Sequence, residues 1–179
     1  DGVREVIGRM PPAVDEIVVV DNNCTDGTAR VAHSLGARVV AEPTPGYGAA
    51  YKAGRRAATG DVIVTLDGDG TYPPEEIPRL VDTLVEREWD FLSASRFPLS
   101  DPAAMHLSNR VGNRVLTITA AVLFLKPLRD SQSGMWVFRR SCLDRLRLTS
   151  DGMAFSEEIK LEALMRGCRF GEGHIPYGV

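Results

Sequence analysis

Two aspartates, Asp67 and Asp69, follow the run VIVTL within the stretch VIVTLDGDGTYPPEE (62–76). Apolar residues run directly into the pair, so the carboxylates sit at the end of a buried strand, where water is partly excluded. Two negative charges at this spacing repel each other. A divalent cation with oxygen ligands, Mg2+ or Mn2+, relieves that repulsion. A cation held by one or two carboxylates completes its shell with water and substrate phosphates. The pair therefore points to a nucleotide or another phosphorylated substrate.

Other residues take their meaning from a shared place, the carboxyl ends of strands, where α/β sheets bind ligands. Asp21 ends the run VVVD, and both ligand contact and turn formation fit it. Asp26-Gly27 reads as turn and helix-cap chemistry. Arg96 ends the strand in SASRF, placed for an anion such as an acceptor phosphate. Arg110 and Arg114 lie one turn apart on the next helix, as a solvated pair or a second part of that anion site. In RDSQSGMWVF, Asp130 lies in a turn that leads back to the sheet and towards the site. Glu157 and Glu158 open a helix, where acids favour the dipole. EPTPGYGAAYKAG lacks the phosphate-loop pattern, so Gly46 and Gly48 read as close backbone packing, with Lys52 and Arg55 solvated. His33, His106 and His174 show no ligand or triad spacing and read as structural.

The elements that must position these residues alternate. Strands are expected at EIVVVD, ARVVAE, DVIVTLD, DFLSAS, GMWVFRR and CRFGEGHIPYGV. Helices are expected at TDGTARVAHSLG, GYGAAYKAGRRAATG, PPEEIPRLVDTLVERE, SNRVGNRVLTITAAVLFL and FSEEIKLEALMRG. This order predicts an α/β fold with a mostly parallel central sheet and helices on both faces. No linker or repeat interrupts residues 1–179, which read as a single domain. Asp1 begins inside an amphipathic helix (Val3, Val6, Ile7, Met10), and the chain stops just after an apolar segment. We therefore expect a domain incomplete at both termini, cut from a longer protein.

Composition narrows the function classes. Among 179 residues, 44% are hydrophobic and 25% charged, which suits a globular domain. A net charge of −3 gives no basic field for nucleic acid. Cys24, Cys142 and Cys168 are odd in number and widely spaced, with no zinc or disulfide frame, which points to a reducing, cytoplasmic compartment. The apolar run 115–125 is too short to span a bilayer.

DGDGT fits the D-x-D-G-T signature of haloacid-dehalogenase-type phosphatases, in which the first Asp is a nucleophile and Mg2+ assists. That signature follows the first strand of its domain, whereas here two strand–helix units precede it, and the later acidic pair is missing. The chain as a whole resembles the family 2 glycosyltransferases of the GT-A fold, especially the dolichol- and polyprenyl-phosphate sugar transferases. The resemblance rests on VDEIVVVDNNCTDGT, GYGAAYKAGRRAATGDVIVTLDGDGTYPPE, SASRF, NRVGNRVL, DSQSGMWVFRR, FSEEIKLEA and GHIPYGV, in that order.

The resemblance implies a metal-dependent enzyme moving a sugar from a nucleotide-sugar donor to an acceptor, a polyprenyl phosphate at a membrane surface, with inversion. It puts Asp21 on the nucleotide base, Asp67 near ribose and diphosphate, Asp69 on the metal with Asp67 beside it, and Asp130 near the reacting centre. Arg96 and Arg110 would suit the acceptor phosphate, and Asp130 would be the base for a hydroxyl acceptor. Three features depart from the family. The first strand, ending in P-x-Y-N-E, is absent; Thr71 stands where the mannosyl branch has Gln; and the R-x-G-x-S-K segment is missing. A nucleotide-binding module without catalysis is the reading these departures leave beside the enzyme.

Overall fold

The computed structural model describes residues 2–99, 107–124 and 128–177, with the side chains of residues 107–110 and 120–124 left aside. Six strands alternate with helices: β1 (Val18–Asp21), β2 (Arg38–Ala41), β3 (Val62–Thr65), β4 (Phe91–Ser95), β5 (Trp136–Arg139) and β6 (Phe170–His174). The helices are α1 (Gly2–Gly8), α2 (Thr28–Ser34), α3 (Tyr47–Ala57), α4 (Ile77–Glu86), α5 (Leu107–Phe124), α6 (Arg140–Leu143) and α7 (Phe155–Met165). A 3-10 turn, Pro74–Glu76, leads into α4, with the proline where its missing N–H costs nothing. Gly36 and Gly167 follow α2 and α7 with positive φ of 86° and 70°, the left-handed close that glycine tolerates best.

β1 and β2 pair in parallel. The other four strands form a sheet in the order β3-β5-β4-β6. Here the expectation of a mostly parallel sheet gives way: β4 and β6 are parallel, but β5 runs antiparallel to both its neighbours. The sequence pattern GMWVFRR marks a buried strand without marking its direction. That direction matters, because an antiparallel β5 is entered from the end at which β3, β4 and β6 are left. Trp136, the first residue of β5, pairs with Thr65, the last of β3. The 128–135 segment is thereby delivered to the carboxyl ends of the other strands.

Alternation of side chains across this sheet divides the core in two. Phe91, Trp136 and Phe138 face one side and pack with Phe155, Ile159, Ala163 and Cys142. Leu92, Met135 and Val137 face the other and pack with Leu80, Leu84 and Ile77. Phe91 stacks on Phe138 and Phe170 with centroids 5.5 and 5.4 Å apart. Cys142 and Cys168, remote in sequence, face each other in this core as free thiols, Sγ to Sγ 2.7 Å. Burial, first, and its neighbour push the Cys142 thiol well up, which keeps it protonated.

Candidate functional site at the strand ends

Asp67 follows β3 after one residue and is half-buried. Its Oδ1 accepts a hydrogen bond from Tyr51 Oη at 3.1 Å, and Tyr47 Oη lies 3.1 Å from Tyr51 Oη. Both tyrosines come from α3, one turn apart. Desolvation raises the Asp67 pKa above the carboxylate norm; the Tyr51 hydroxyl opposes the shift, and the Asp69 charge adds to it. Burial also pushes both phenols up, so they stay protonated donors. Asp69 lies further out, its Oδ1 accepting from Thr71 N and Oγ1 at 2.9 and 2.7 Å. That turn leaves Oδ2 of Asp69 unused by Thr71, and Asp69 is exposed.

Gly134 closes the space behind Asp67. A Cβ there would collide with Tyr47 Oη and approach both Asp67 oxygens at 3.2 Å. The Gly134 N–H donates to Tyr72 Oη at 2.8 Å, and its carbonyl accepts from Thr65 Oγ1 at 3.0 Å. Tyr72 is pushed to about 12 by burial, against the pull of the Arg96 charge. No side chain but hydrogen fits at this position.

Arg96 and Asp130 meet in the interior. Arg96 Nε and Nη2 donate to the two Asp130 oxygens at 2.7 and 2.8 Å, and Arg96 N donates to Oδ2 at 3.1 Å. Asp130 is 0% and Arg96 7% exposed. Burial alone would raise the Asp130 pKa, but the hydrogen bonds and charge of Arg96 outweigh it and hold the carboxyl below its usual range. Burial likewise opposes the Arg96 charge, and Asp130 more than restores it. Arg96 also stacks over the Tyr177 ring at 5.1 Å.

The sequence-based expectation for Asp130 therefore needs correction. An enclosed carboxylate, doubly bonded to a guanidinium, with lowered proton affinity, is poorly suited to act as a general base. Its geometry suits fixing Arg96. Arg96 follows the end of β4, and two of its guanidinium donors are occupied by Asp130 while Tyr177 also contacts the group. Asp21 accepts from Cys24 N at 2.9 Å, within its own turn. Its neighbour Asn22 ties β1 to the start of α3, accepting from Gly46 N at 2.9 Å. Asp26 Oδ1 accepts from Thr28 N and Oγ1 at 3.0 and 2.6 Å, which is the turn half of its reading, while Gly27 occupies the helix cap. Arg110 lies on α5 with its side chain outside the described residues, and Arg114 is exposed. His106 also falls outside the described residues.

Sequence reasoning missed Tyr47, Tyr51, Tyr72 and Lys160. Lys160 is 0% exposed and donates to the carbonyls of Asp130 and Ser131 at 2.9 and 2.7 Å. Burial lowers its pKa to about 7, against the attraction of Asp130. The pattern Y-x-x-x-Y in GYGAAYKAG was the available signal for the phenols. Lys160 gave none, because helix charges are ordinarily solvated. Among the described residues, no three His, Cys, Asp or Glu side chains gather as a metal cluster.

Two measurements test this geometry. Tyr51→Phe removes a donor to the ionised Asp67, so the Asp67 pKa should rise further above its parent value in a carboxyl-resolved NMR titration; an unchanged or lower value contradicts the contact. Asp130→Asn leaves Arg96 buried without its counter-charge and should cost about 3–5 kcal/mol at pH 7 by urea denaturation. Because the folded pKa of Asp130 is depressed, that contribution is present above the unfolded value, about 3.9, and is lost as pH falls through the folded value. Parent and variant stabilities should therefore converge in acid.

Comparison with known proteins agrees with this architecture. Residues 2–147 match glycosyl transferase family 2. The dolichyl-phosphate hexose transferase of Haloferax volcanii is 33% identical over 171 residues, covering 96% of this chain and 73% of that protein. Glycosyltransferase AglJ of the same organism is 34% identical over 154 residues, covering 86% of this chain but 50% of the relative. Glucosyl-3-phosphoglycerate synthase from Mycobacterium tuberculosis, in complex with Mn2+ and UDP-glucose, superimposes with a TM-score of 0.82 at 23% identity, over 99% of this chain and 66% of that one. The phosphatase reading of DGDGT is not favoured, since Asp67 follows the third strand of this fold. The chain belongs to glycosyl transferase family 2 and has the GT-A fold.

Proposed function

We propose that this domain transfers a sugar from a nucleoside-diphosphate sugar to a polyprenyl phosphate, with a divalent cation at Asp69 and Asp67. The observation that carries the donor half is the paired carboxylate end of β3, one acid desolvated and raised in pKa, the other exposed. A desolvated acid beside a second carboxylate fits a site in which a cation supplies the compensating charge. Mg2+ or Mn2+ bound there would offset charge on the departing diphosphate. Asp69, with one oxygen anchored by Thr71, would face the cation; Asp67, fixed by Tyr51, would lie nearer the sugar and ribose. Asp21, at the end of β1, is assigned to the base.

Arg96, held rigid by Asp130, supplies the positive charge for the acceptor phosphate, with Arg110 assigned to the same anion. A phosphate monoester is already ionised at neutral pH, so attack on the anomeric carbon needs no strong base. This agrees with the absence of an available base at Asp130. Attack opposite the leaving diphosphate gives inversion.

The lipid part of the acceptor follows from α5. Val111, Val115 and Ile118 fall at i, i+4 and i+7 and are 55%, 58% and 52% exposed. Asn113 and Thr117, on another face, are buried. The helix thus hides polar groups and shows apolar ones, which fits a hydrocarbon tail or membrane interface along its outer side. Among the described residues, no helix is long and apolar enough to cross a membrane. The dolichyl-phosphate relative supports the same acceptor class.

Asp69→Ala should abolish Mn2+-dependent binding of UDP- or GDP-sugars in calorimetry while the circular dichroism spectrum is retained; undiminished binding would remove the metal assignment. Val115→Asp should raise the KM for a long-chain polyprenyl phosphate at least fivefold and leave a short, water-soluble prenyl phosphate unaffected. Equal effects on both acceptors would detach α5 from the lipid tail.

A further inference from the structure

Two ionic groups, Lys160 fully buried and Glu172 half-buried, serve the backbone of one short segment. Lys160, on α7, takes the carbonyls of Asp130 and Ser131. Glu172, on β6, takes the amides of the same segment: Arg129 N donates to its two oxygens at 3.0 and 2.9 Å, and Asp130 N to Oε1 at 3.3 Å. Burying an ammonium or a carboxylate is unfavourable, and a methionine would fill the Lys160 position without that cost. An apolar replacement would instead leave two interior carbonyls without donors. The charged pair thus grips residues 129–131 from both sides.

We infer that Lys160 and Glu172 form a clamp that positions Asp130, and through it Arg96, for the acceptor. Lys160 is a positioning residue on this assignment, since it reaches no substrate. The inference rests on the proposed acceptor role of Arg96. Backbone is what the clamp holds, so rotation of the segment would swing the Asp130 carboxylate off the guanidinium, and Arg96 would lose its fixed orientation. The groups facing Lys160 are Asp130 from the segment, Arg96 from the end of β4, Glu172 from β6, Glu157 from its own helix and the Trp136 ring at 5.8 Å. A neutral amine still carries hydrogens for both carbonyls, so the clamp holds on either side of the Lys160 titration.

The test uses Lys160→Met with two readouts. The first separates donor from acceptor: calorimetric affinity for the nucleotide-sugar used by the parent, in Mn2+, against kcat/KM for a polyprenyl monophosphate in detergent. The clamp predicts donor affinity within twofold of the parent and at least a tenfold fall in kcat/KM. The second follows the Arg96 Nε–H signal by NMR, whose exchange protection should fall at least tenfold. Unchanged acceptor kinetics, or equal losses on donor and acceptor, would overturn the inference. If the parent transfers to no polyprenyl phosphate, the proposed acceptor fails, and the Nε–H signal alone decides the clamp: lost protection supports it, retained protection refutes it. If Lys160→Met does not fold, Glu172→Gln is judged by the same readouts and thresholds.

Discussion

The structure turns on a buried ion pair. Arg96 and Asp130 come from the end of β4 and from the segment before β5, and they meet with almost no access to water. Such a pair is not a cheap source of stability, since both charges lose hydration and regain it only through good geometry. Here the geometry is two-pronged, with a third bond from the Arg96 backbone. What the pair secures is orientation. The sheet order explains how it arises: because β5 runs antiparallel between β3 and β4, its entry loop lies across their carboxyl ends. With β5 parallel to them, the same loop would arrive at the opposite edge.

Three carboxylates in this region show how placement divides their roles. Asp130 is enclosed and kept ionised by a guanidinium. Asp67 is desolvated, and the Tyr51 phenol and the Arg96 charge offset that burial only in part, so its proton affinity stays raised. Asp69 is outside, with water and a threonine turn. A cation and a diphosphate bring positive and negative charge into a site of this kind together, and the half-buried acid is where their compensation counts most, because the local dielectric is low. Arg96 lies close enough to favour ionised Asp67 as well as ionised Asp130. Asp67 and the Arg96–Asp130 pair therefore share one electrostatic field, which the proposed donor and acceptor would both enter.

Much of this was legible in the sequence. Apolar runs ending in Asp21, Asp67 and Arg96 located the strand ends, and the order of elements gave the α/β fold. Direction in β5 was not legible, because a strand buried on both faces has the same composition either way. The pairing of Asp130 with Arg96 was not legible either, since each residue separately fits a surface turn or an anion site. Cys142 and Cys168 looked unrelated at a spacing of 26 residues and lie in contact. Tyr47 and Tyr51 passed as ordinary members of the helix in GYGAAYKAGRRAATG, although one turn of spacing put both phenols on one face. Lys160 was the least legible of all: a lysine in FSEEIKLEALMRG has charged neighbours and every sign of solvation. Only the crossing of α7 beneath the 129–131 segment takes it inside.

The inverted polarity of α5 connects the outer surface to this interior. On its buried side, Thr117 Oγ1 donates to Ser131 Oγ at 3.1 Å and accepts from Ser131 N at 3.2 Å. Ser131 is also one of the two residues whose carbonyls Lys160 holds. A polar buried face is thus explained by what it must bond: the backbone and hydroxyl of the segment that fixes Asp130. An ordinary amphipathic helix would put valines there and leave Ser131 N without a partner. The apolar residues displaced from the interior then stand outside, where water alone gives them no favourable contact. A hydrocarbon chain or membrane interface on Val111, Val115 and Ile118 would rest on a helix whose opposite side is bonded to the segment that fixes Asp130. The lipid-facing surface and the phosphate-facing guanidinium would then be joined by two hydrogen-bonded steps, Thr117 to Ser131 and Asp130 to Arg96, with one peptide link between them.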